Sequence, residues 1–165
     1  MKDIPYLHEA GAVKRWHTKP TLKDQDLASH SWGVATILMY ILPGNYNVLR
    51  AALVHDLHEK EAGDIPYQFK KSNPNVSHQY SLQDHSFQEK YEISTELLEF
   101  EQEALKWADM MELLLFCHRE LRMGNQYFSS TRQVAEKTLR DMGHPNEQAR
   151  TLFNEVIHHD RDYQT

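Results

Sequence analysis

Two histidines and two aspartates in this chain have the residue types and surroundings of a metal site. His55 and Asp56 are adjacent in an apolar helical segment, His30 opens an earlier segment and Asp109 lies inside a later one. A carboxylate on an apolar helix is costly to bury unless it is paired or bound to a metal. Mixed imidazole and carboxylate ligation suits a divalent transition metal, which can activate water. The pattern therefore predicts a metal-dependent hydrolase.

Two further carboxylates follow the His55-Asp56 pair at spacings that allow a supporting role. Glu59 is four residues after His55, which places it one helical turn further along the same face and within reach of a water beside the ion. Asp64 follows Gly63, and a tight turn there would bring its side chain back towards the same space. The spacing thus makes Glu59 a candidate for proton transfer during the reaction.

Each of these residues also has an ordinary structural explanation. A single histidine at a helix start is commonly a capping or surface residue. A single aspartate in an apolar helix is commonly a polar core residue whose hydrogen bonds are satisfied. A His-Asp dipeptide alone is weak evidence of function. The functional interpretation is favoured because all these residues occur in one chain that also carries an N-terminal Arg15-Trp16 pair.

The segments that carry these residues are predicted to be helices. Helical periodicity of apolar residues recurs along the chain, whereas alternating strand patterns are scarce. A sharp turn is predicted at 63–66 and a polar, basic loop at 70–75. We expect one all-α domain over residues 1–165. The predicted helices cover Tyr6 to Lys14, Ser29 to Ile41, Val48 to about Lys60, roughly 77–98, about Glu101 to Arg122, Ser129 to Met142, and Asn146 to about Asp160.

Composition narrows the class of protein. A chain of 165 residues with 40% hydrophobic and 25% charged residues fits a soluble globular domain with a core. The net charge of -6 disfavours a broad, sequence-independent grip on DNA or RNA. Cys117 is the only cysteine, so no intramolecular disulfide is expected. No signal peptide and no apolar run of about 20 residues is evident, so a cytoplasmic protein without membrane contact is expected.

The order His30, His55-Asp56, Asp109 resembles that of the HD-domain metal phosphohydrolases. The segment 55–66 reads HDLHEKEAGDIP and is similar to the H-D-x-x-E-x-x-x-G-D-[IL]-P signature of their YfbR-like 5′-deoxynucleotidase branch. Arg15-Trp16 matches the R-W pair of that branch. The resemblance implies a compact, single-domain HD-type helical bundle.

A closer resemblance is carried by segments 8–17 and 108–113, with the later Met123-Gly124-Asn125. These segments look like those of the DatZ-type dATP triphosphohydrolases, which deplete dATP in phages that replace adenine by 2-aminoadenine in their DNA. The resemblance covers about the first 125 residues, and the C-terminal 40 or so carry no usable motif.

The resemblance implies a role for each matching position. Glu59 is the acid/base residue, and Asp64 supports it or helps to hold a second divalent ion. Arg15 binds phosphate, and Trp16 packs on the deoxyribose or base, where a bulky aromatic disfavours a ribose 2′-OH. One of Lys70 and Lys71 lies near the polyphosphate, unless the pair is simply a solvated loop. The implied metal ligands are His30, His55, Asp56 and Asp109, with zinc, cobalt or manganese as the ion.

The function predicted on this basis is hydrolysis of dATP at the α-phosphorus, giving deoxyadenosine and triphosphate. The alternative is a 5′-deoxynucleotidase that acts on dNMPs. A non-catalytic nucleotide-binding HD module is disfavoured because every ligand and Glu59 are present. The expected partner is a small deoxynucleotide rather than a nucleic acid. By resemblance we also expect a homo-oligomer, and the host cytoplasm as its location if a phage encodes it.

Overall fold

The structure, a computed structural model, describes residues 2–161, and the side chains of all of these except 68 and 159–161. The predicted all-α fold is confirmed: within this range the only β feature is one isolated bridge between Lys14 and Asp26. A 3-10 turn, Gln126–Phe128, precedes the eighth helix. The helices are α1 Ile4–Ala10, α2 Leu27–Ile41, α3 Tyr46–Val54, α4 Glu59–Ala62, α5 Tyr67–Ser72, α6 Pro74–Lys90, α7 Glu99–Arg122, α8 Ser129–Met142 and α9 Glu147–Arg161.

The long helix α7 is the centre of the fold, and α2, α3, α8 and α9 all pack against it. Its apolar residues recur at helical spacing and meet the apolar faces of these neighbours, which is how an amphipathic helix gains stability. Full burial of one such side chain contributes roughly 1.5–3 kcal/mol. The main core cluster includes Val34, Leu38, Trp107, Met111, Leu114, Leu139 and Phe153.

Two helices differ at their ends from the sequence prediction for local reasons. Helix α2 begins at Leu27, two residues before the predicted start, because Asp26 caps it by accepting a 2.8 Å hydrogen bond from the Ser29 N–H. Helix α1 ends at Ala10 instead of Lys14, since the chain from Gly11 turns away to form the bridge with Asp26. Residues 11–26 therefore form a loop that starts and ends beside α2.

The helix predicted from Val48 to about Lys60 is interrupted. Helix α3 ends at Val54, residues 55–58 form a turn, and α4 begins at Glu59. In the turn the hydrogen bonds span three residues instead of four, as from the Leu57 N–H to the Val54 carbonyl at 3.2 Å. This tighter winding changes the direction of successive side chains. The spacing of apolar residues over so short a segment does not reveal whether a backbone hydrogen bond will span three residues or four.

The predicted loop at 70–75 and the predicted helix over 77–98 also need correction. Lys70 and Lys71 lie in the last turn of α5, and Pro74 already begins α6. Only Asn73 separates the two helices. Helix α6 can begin at Pro74 because proline is well tolerated in a first helical turn. Helix α6 ends at Lys90, and residues 93–98 have no regular structure. Among the described residues, no helix has both the length and the apolar character to cross a membrane.

Candidate metal centre

Three separate elements bring the four predicted ligands together. One atom each from His30 on α2 and from His55 and Asp56 in the turn after α3 lie within 4.8 Å of one another. Oδ2 of Asp56 is 3.6 Å from Nε2 of His30 and 3.3 Å from Nε2 of His55. Asp109 reaches the group from α7, with Oδ1 3.1 Å from Nε2 of His30. The four side chains thus surround a common space.

The hydrogen bonds of the two imidazoles determine which nitrogen presents a lone pair to that space when the rings are neutral, the form that binds a metal. Nδ1 of His30 lies 2.7 Å from Oε2 of Glu112, and Nδ1 of His55 lies 2.9 Å from the carbonyl oxygen of Ala52. Both partners can only accept, so in the neutral rings each Nδ1 is the donor. Each Nε2 is buried and has no hydrogen-bond partner among the described residues. Two imidazole lone pairs beside carboxylates fit a divalent transition metal.

The charges around the site also favour a cation. Four carboxylates, on Asp56, Glu59, Asp64 and Asp109, act on the Arg15 guanidinium beside this space, and a fifth, on Glu112, contacts Nδ1 of His30. Burial alone would lower the pKa of His30, but its contacts with two of these carboxylates raise that pKa to about 9. A bound divalent ion would balance the same excess of negative charge.

Glu59 is buried beside the ligands at the first position of α4, with 3% of its side chain exposed. Burial, together with the negative charge of Asp56, raises the pKa of Glu59 to about 7. Its Oε2 lies 3.9 Å from Nη1 of Arg15 and accepts no hydrogen bond from the described residues. A carboxyl group that titrates near neutrality beside a metal centre is suited to accept a proton and return it.

Asp64 returns to the site as the sequence predicted, because Gly63 adopts a left-handed φ of 74° that suits glycine. Its Oδ2 accepts a hydrogen bond of 3.4 Å from the Trp16 N–H. The negative charge of Asp64 contributes to the raised pKa of Glu59. Asp64 therefore lies near Glu59 but outside the group of four ligands.

Arg15 and Trp16 face the same site from the loop after α1. Nη1 of Arg15 donates to Oδ2 of Asp56 at 3.1 Å, while its buried Nε has no partner among the described residues. Trp16 stacks on Phe116, with ring centroids 5.3 Å apart and planes at 7°, and meets the ring of Phe128 edge-on. The φ of Trp16 is 61°, an unusual value for a bulky residue. The aromatic ring is therefore held firmly in spite of backbone strain.

The two lysines are placed differently. Nζ of Lys70 lies 4.7 Å from the ring centre of Tyr80, and its positive charge acts to lower the pKa of Glu59. Lys71, on the next position of α5, is exposed. The fold thus brings Lys70 towards Glu59 and leaves its neighbour at the surface.

Sequence reasoning missed three residues that contact this group. Glu112 is three residues after Asp109 on one face of α7, a spacing that could have revealed it. Tyr80 on α6 donates towards Glu59, and Gln25 in the loop before α2 binds Glu112. No local signal marks Tyr80 or Gln25, because their positions depend on packing between elements that are distant in the chain.

An all-α fold that gathers His30, His55-Asp56 and Asp109 around one space fits a metal phosphohydrolase of the HD class. The family model described as 5′-deoxynucleotidase YfbR-like matches residues 4–160. The chain belongs to this family, and it is therefore a metal-dependent phosphohydrolase whose cofactor is a divalent metal ion.

Curated relatives agree with this class, and solved structures share the fold. A 5′-deoxynucleotidase of Cronobacter sakazakii is 28% identical over 81% of this chain and 80% of the relative. A 5′-deoxynucleotidase of Yersinia pestis is 27% identical over 81% of each chain. Among solved structures, the cyanophage S-2L HD phosphohydrolase DatZ, bound to dA and one catalytic Zn²⁺ ion, superposes with a TM-score of 0.73 at 18% identity, over 99% of this chain and 96% of DatZ. A Pyrococcus horikoshii protein superposes with a TM-score of 0.72 at 20% identity, over 93% of this chain and 95% of that one. At these identities the solved structures show a common fold.

Proposed function

We propose that this enzyme hydrolyses dATP at the α-phosphorus and releases deoxyadenosine and triphosphate. The observation that carries the proposal is that the buried Nε2 atoms of His30 and His55 face carboxylates without a hydrogen bond from the described residues, beside Glu59, whose pKa is about 7. The choice of a deoxyadenosine nucleotide is supported by the likeness over nearly the whole chain to DatZ, whose structure contains dA.

The proposed metal ligands are His30, His55, Asp56 and Asp109, and zinc, cobalt and manganese all suit this mixed set. A divalent ion held there would lower the pKa of water towards 7 and would stabilise negative charge on the reacting phosphate. Asp64 either supports Glu59 in this proposal or helps to hold a second divalent ion.

The overall reaction transfers one proton from the attacking water to the 5′ oxygen of the nucleoside. The oxygen of a water molecule forms a bond to the α-phosphorus while the bond from that phosphorus to the 5′ oxygen breaks. Glu59 takes a proton from the water and delivers one to the departing 5′ oxygen. Its Oε2 is suited to this step because no hydrogen bond from the described residues occupies it. A carboxyl with a pKa near the working pH can perform both transfers.

Arg15, Lys70 and Trp16 supply the contacts to substrate in this proposal. Arg15 can hold two phosphate oxygens with its planar guanidinium group, which a lysine cannot. Lys70 adds the further positive charge that a triphosphate requires. Trp16 offers a ring fixed between Phe116 and Phe128 as a rigid wall for the deoxyribose or base.

A 5′-deoxynucleotidase that acts on dNMPs is the second candidate. It is favoured by the curated relatives from Cronobacter and Yersinia, which are named 5′-deoxynucleotidases and are more similar in sequence than DatZ is. Both candidates use the same metal centre and the same Glu59, so they differ only in the number of phosphates and in the choice of base.

Product analysis separates the two candidates. The protein, loaded with Zn²⁺, Co²⁺ or Mn²⁺, is incubated with each dNTP, dNMP and NTP, and the products are separated by chromatography. Deoxyadenosine and intact triphosphate from dATP, with little product from dGTP or ATP, are expected. Nucleoside and phosphate from several dNMPs, with the dNTPs untouched, would establish the second candidate. Absence of turnover with every metal would indicate a nucleotide-binding module. A Glu59→Gln preparation, purified identically, reveals contaminating phosphatases.

A further inference from the structure

A chain of hydrogen bonds leads from His30 to the indole of Trp16. Glu112 accepts from Nδ1 of His30 through Oε2, and from Nε2 of Gln25 through Oε1, each at 2.7 Å. Oε1 of Gln25 in turn accepts from Nε1 of Trp16 at 2.8 Å. One continuous path therefore joins a proposed metal ligand to the proposed wall of the substrate site.

The carboxylate in this path determines the direction of every bond. An ionised carboxylate only accepts, so both of its neighbours must donate. In its neutral, metal-binding form His30 then carries its hydrogen on Nδ1 and presents the Nε2 lone pair to the metal site. The amide of Gln25 must direct its NH₂ group to Glu112 and its oxygen to the Trp16 indole. Glu112 thus determines the orientation of groups on both sides.

Packing restricts Glu112 to this position. Gln25 and Glu112 are buried, with exposed fractions of 3% and 9%. Gly33 on α2 faces the stem of Glu112, and a Cβ at Gly33 would lie only 2.7 Å from Cγ of Glu112. Phe116, on which Trp16 stacks, follows Glu112 by one turn of α7. The carboxylate and the support for the indole therefore belong to the same helix.

We propose that Glu112 is a positioning residue that orients His30 for the metal ion and, through Gln25, orients the Trp16 indole for substrate. Binding of a metal ion therefore changes the environment of the Trp16 indole N–H through this path. The inference rests on the proposed metal centre, since it takes His30 as a ligand. It predicts that a change at Glu112 affects both ends, whereas a change at Gln25 affects only the Trp16 end.

Affinity for Zn²⁺ alone, measured by competition with a chromophoric chelator, tests the metal end. Glu112→Ala is expected to weaken Zn²⁺ binding about 10- to 100-fold, the usual effect of removing such a partner. Glu112→Gln retains one acceptor oxygen for His30, so it should lose less affinity for Zn²⁺ than Glu112→Ala does. Gln25→Ala leaves the bond between Glu112 and His30 intact, so its affinity should equal that of the unmodified protein.

The indole N–H resonances test the Trp16 end. The peak of Trp16 in a ¹⁵N–¹H spectrum is assigned by Trp16→Phe, and the peak of the exposed Trp32 serves as the internal reference. Addition of Zn²⁺ is expected to shift the Trp16 peak. Gln25→Ala should abolish this shift although Zn²⁺ still binds. A shift that persists in Gln25→Ala would mean that the signal does not pass along this path and would overturn the coupling.

Gly33→Ala gives a second test that removes no polar group. The added methyl displaces Glu112, so we expect weaker Zn²⁺ binding and a moved Trp16 peak even before Zn²⁺ is added, in a protein whose circular dichroism is unchanged. If Zn²⁺ binding does not depend on His30 or Asp56, the proposed metal centre itself is wrong. If it depends on them but is unaffected by Glu112→Ala, only the role of Glu112 is wrong.

Discussion

The hydroxyl of Tyr80 lies 3.4 Å from Oε1 of Glu59 and 3.2 Å from the carbonyl oxygen of Gly63. Burial raises the pKa of Tyr80 well above its ordinary value, so the hydroxyl keeps its single proton, which it shares between these two acceptors. A residue on α6 thereby positions the carboxyl group that we assign to proton transfer.

Tyr80→Phe should lower kcat by up to about tenfold, the effect of losing one hydrogen bond of about 1.4 kcal/mol. Metal content should not change, because Tyr80 is not among the proposed ligands. The matched control is Tyr67→Phe, which alters an exposed tyrosine of α5. An unchanged kcat in Tyr80→Phe would show that Glu59 is positioned without this bond.

Asp56→Ala and Glu59→Ala should separate metal binding from proton transfer. Asp56→Ala removes a proposed ligand, so metal retention and activity should be lost together. Glu59→Ala should keep the metal and lose about 10²- to 10⁴-fold in kcat, the usual contribution of acid/base catalysis. Metal content is measured by elemental analysis of the purified proteins. Equal loss of metal in both variants would contradict this division of roles.

Arg15→Ala should raise KM for the nucleotide without loss of metal. Arg15 lies 3.1 Å from Asp56, so its positive charge opposes a cation at that carboxylate. Metal affinity should therefore stay the same or increase. Lys14→Ala is the control, since the exposed Lys14 pairs with Asp24 away from the site. Weaker metal binding in Arg15→Ala would show that Arg15 mainly holds Asp56 in place.

Lys70→Ala should raise KM for dATP, whereas Lys71→Ala should leave it unchanged. The two residues are adjacent on α5, but Lys70 lies over the Tyr80 ring near Glu59 while Lys71 is exposed. The effect should be larger for dATP than for dAMP, because the additional phosphates need the charge. Equal effects of the two variants on KM would assign the contact to both lysines or to neither.

The sequence predicted the all-α class and several helices closely, including α8 over Ser129 to Met142. Those predictions rest on periodicity and capping, which are local. The interruption after Val54 escaped prediction because the apolar spacing is the same for the helix and for the tighter turn. The distinction between Lys70 and Lys71 likewise required the packing of α5 against α6, which no local pattern encodes.

The proposed metal centre shows the same contrast between local sequence patterns and long-range packing. Residue type and order identified the four side chains that the fold brings together, while their assignment as ligands remains a proposal. Gln25 and Tyr80 could not be found in this way, because each is an ordinary polar residue whose position depends on contacts between distant segments. Polar side chains that support a site carry no signature beyond their place in the folded structure.

We expect the buried part of His144 to make the free energy of unfolding depend on pH. Burial, with the charges of Arg150 and Arg140, lowers the pKa of His144 below its ordinary value. As the pH falls below about 6.5, the unfolded chain takes up this proton before the folded protein does, so folding stability is lost. His144→Gln should therefore lose less free energy of unfolding in urea between pH 7.5 and pH 5.5. His158→Gln, at an exposed site, should behave like the unmodified protein.

The proposed ligands come from α2, from the turn after α3 and from α7, segments that lie far apart along the chain. An ion held by all four would tie these segments together as a cross-link that the unfolded chain cannot form. At 100 times its dissociation constant, such an ion adds about 2.7 kcal/mol to the stability of the fold. A chelator would then act on this protein as a denaturant as well as an inhibitor, and metal supply would govern how long the folded enzyme persists.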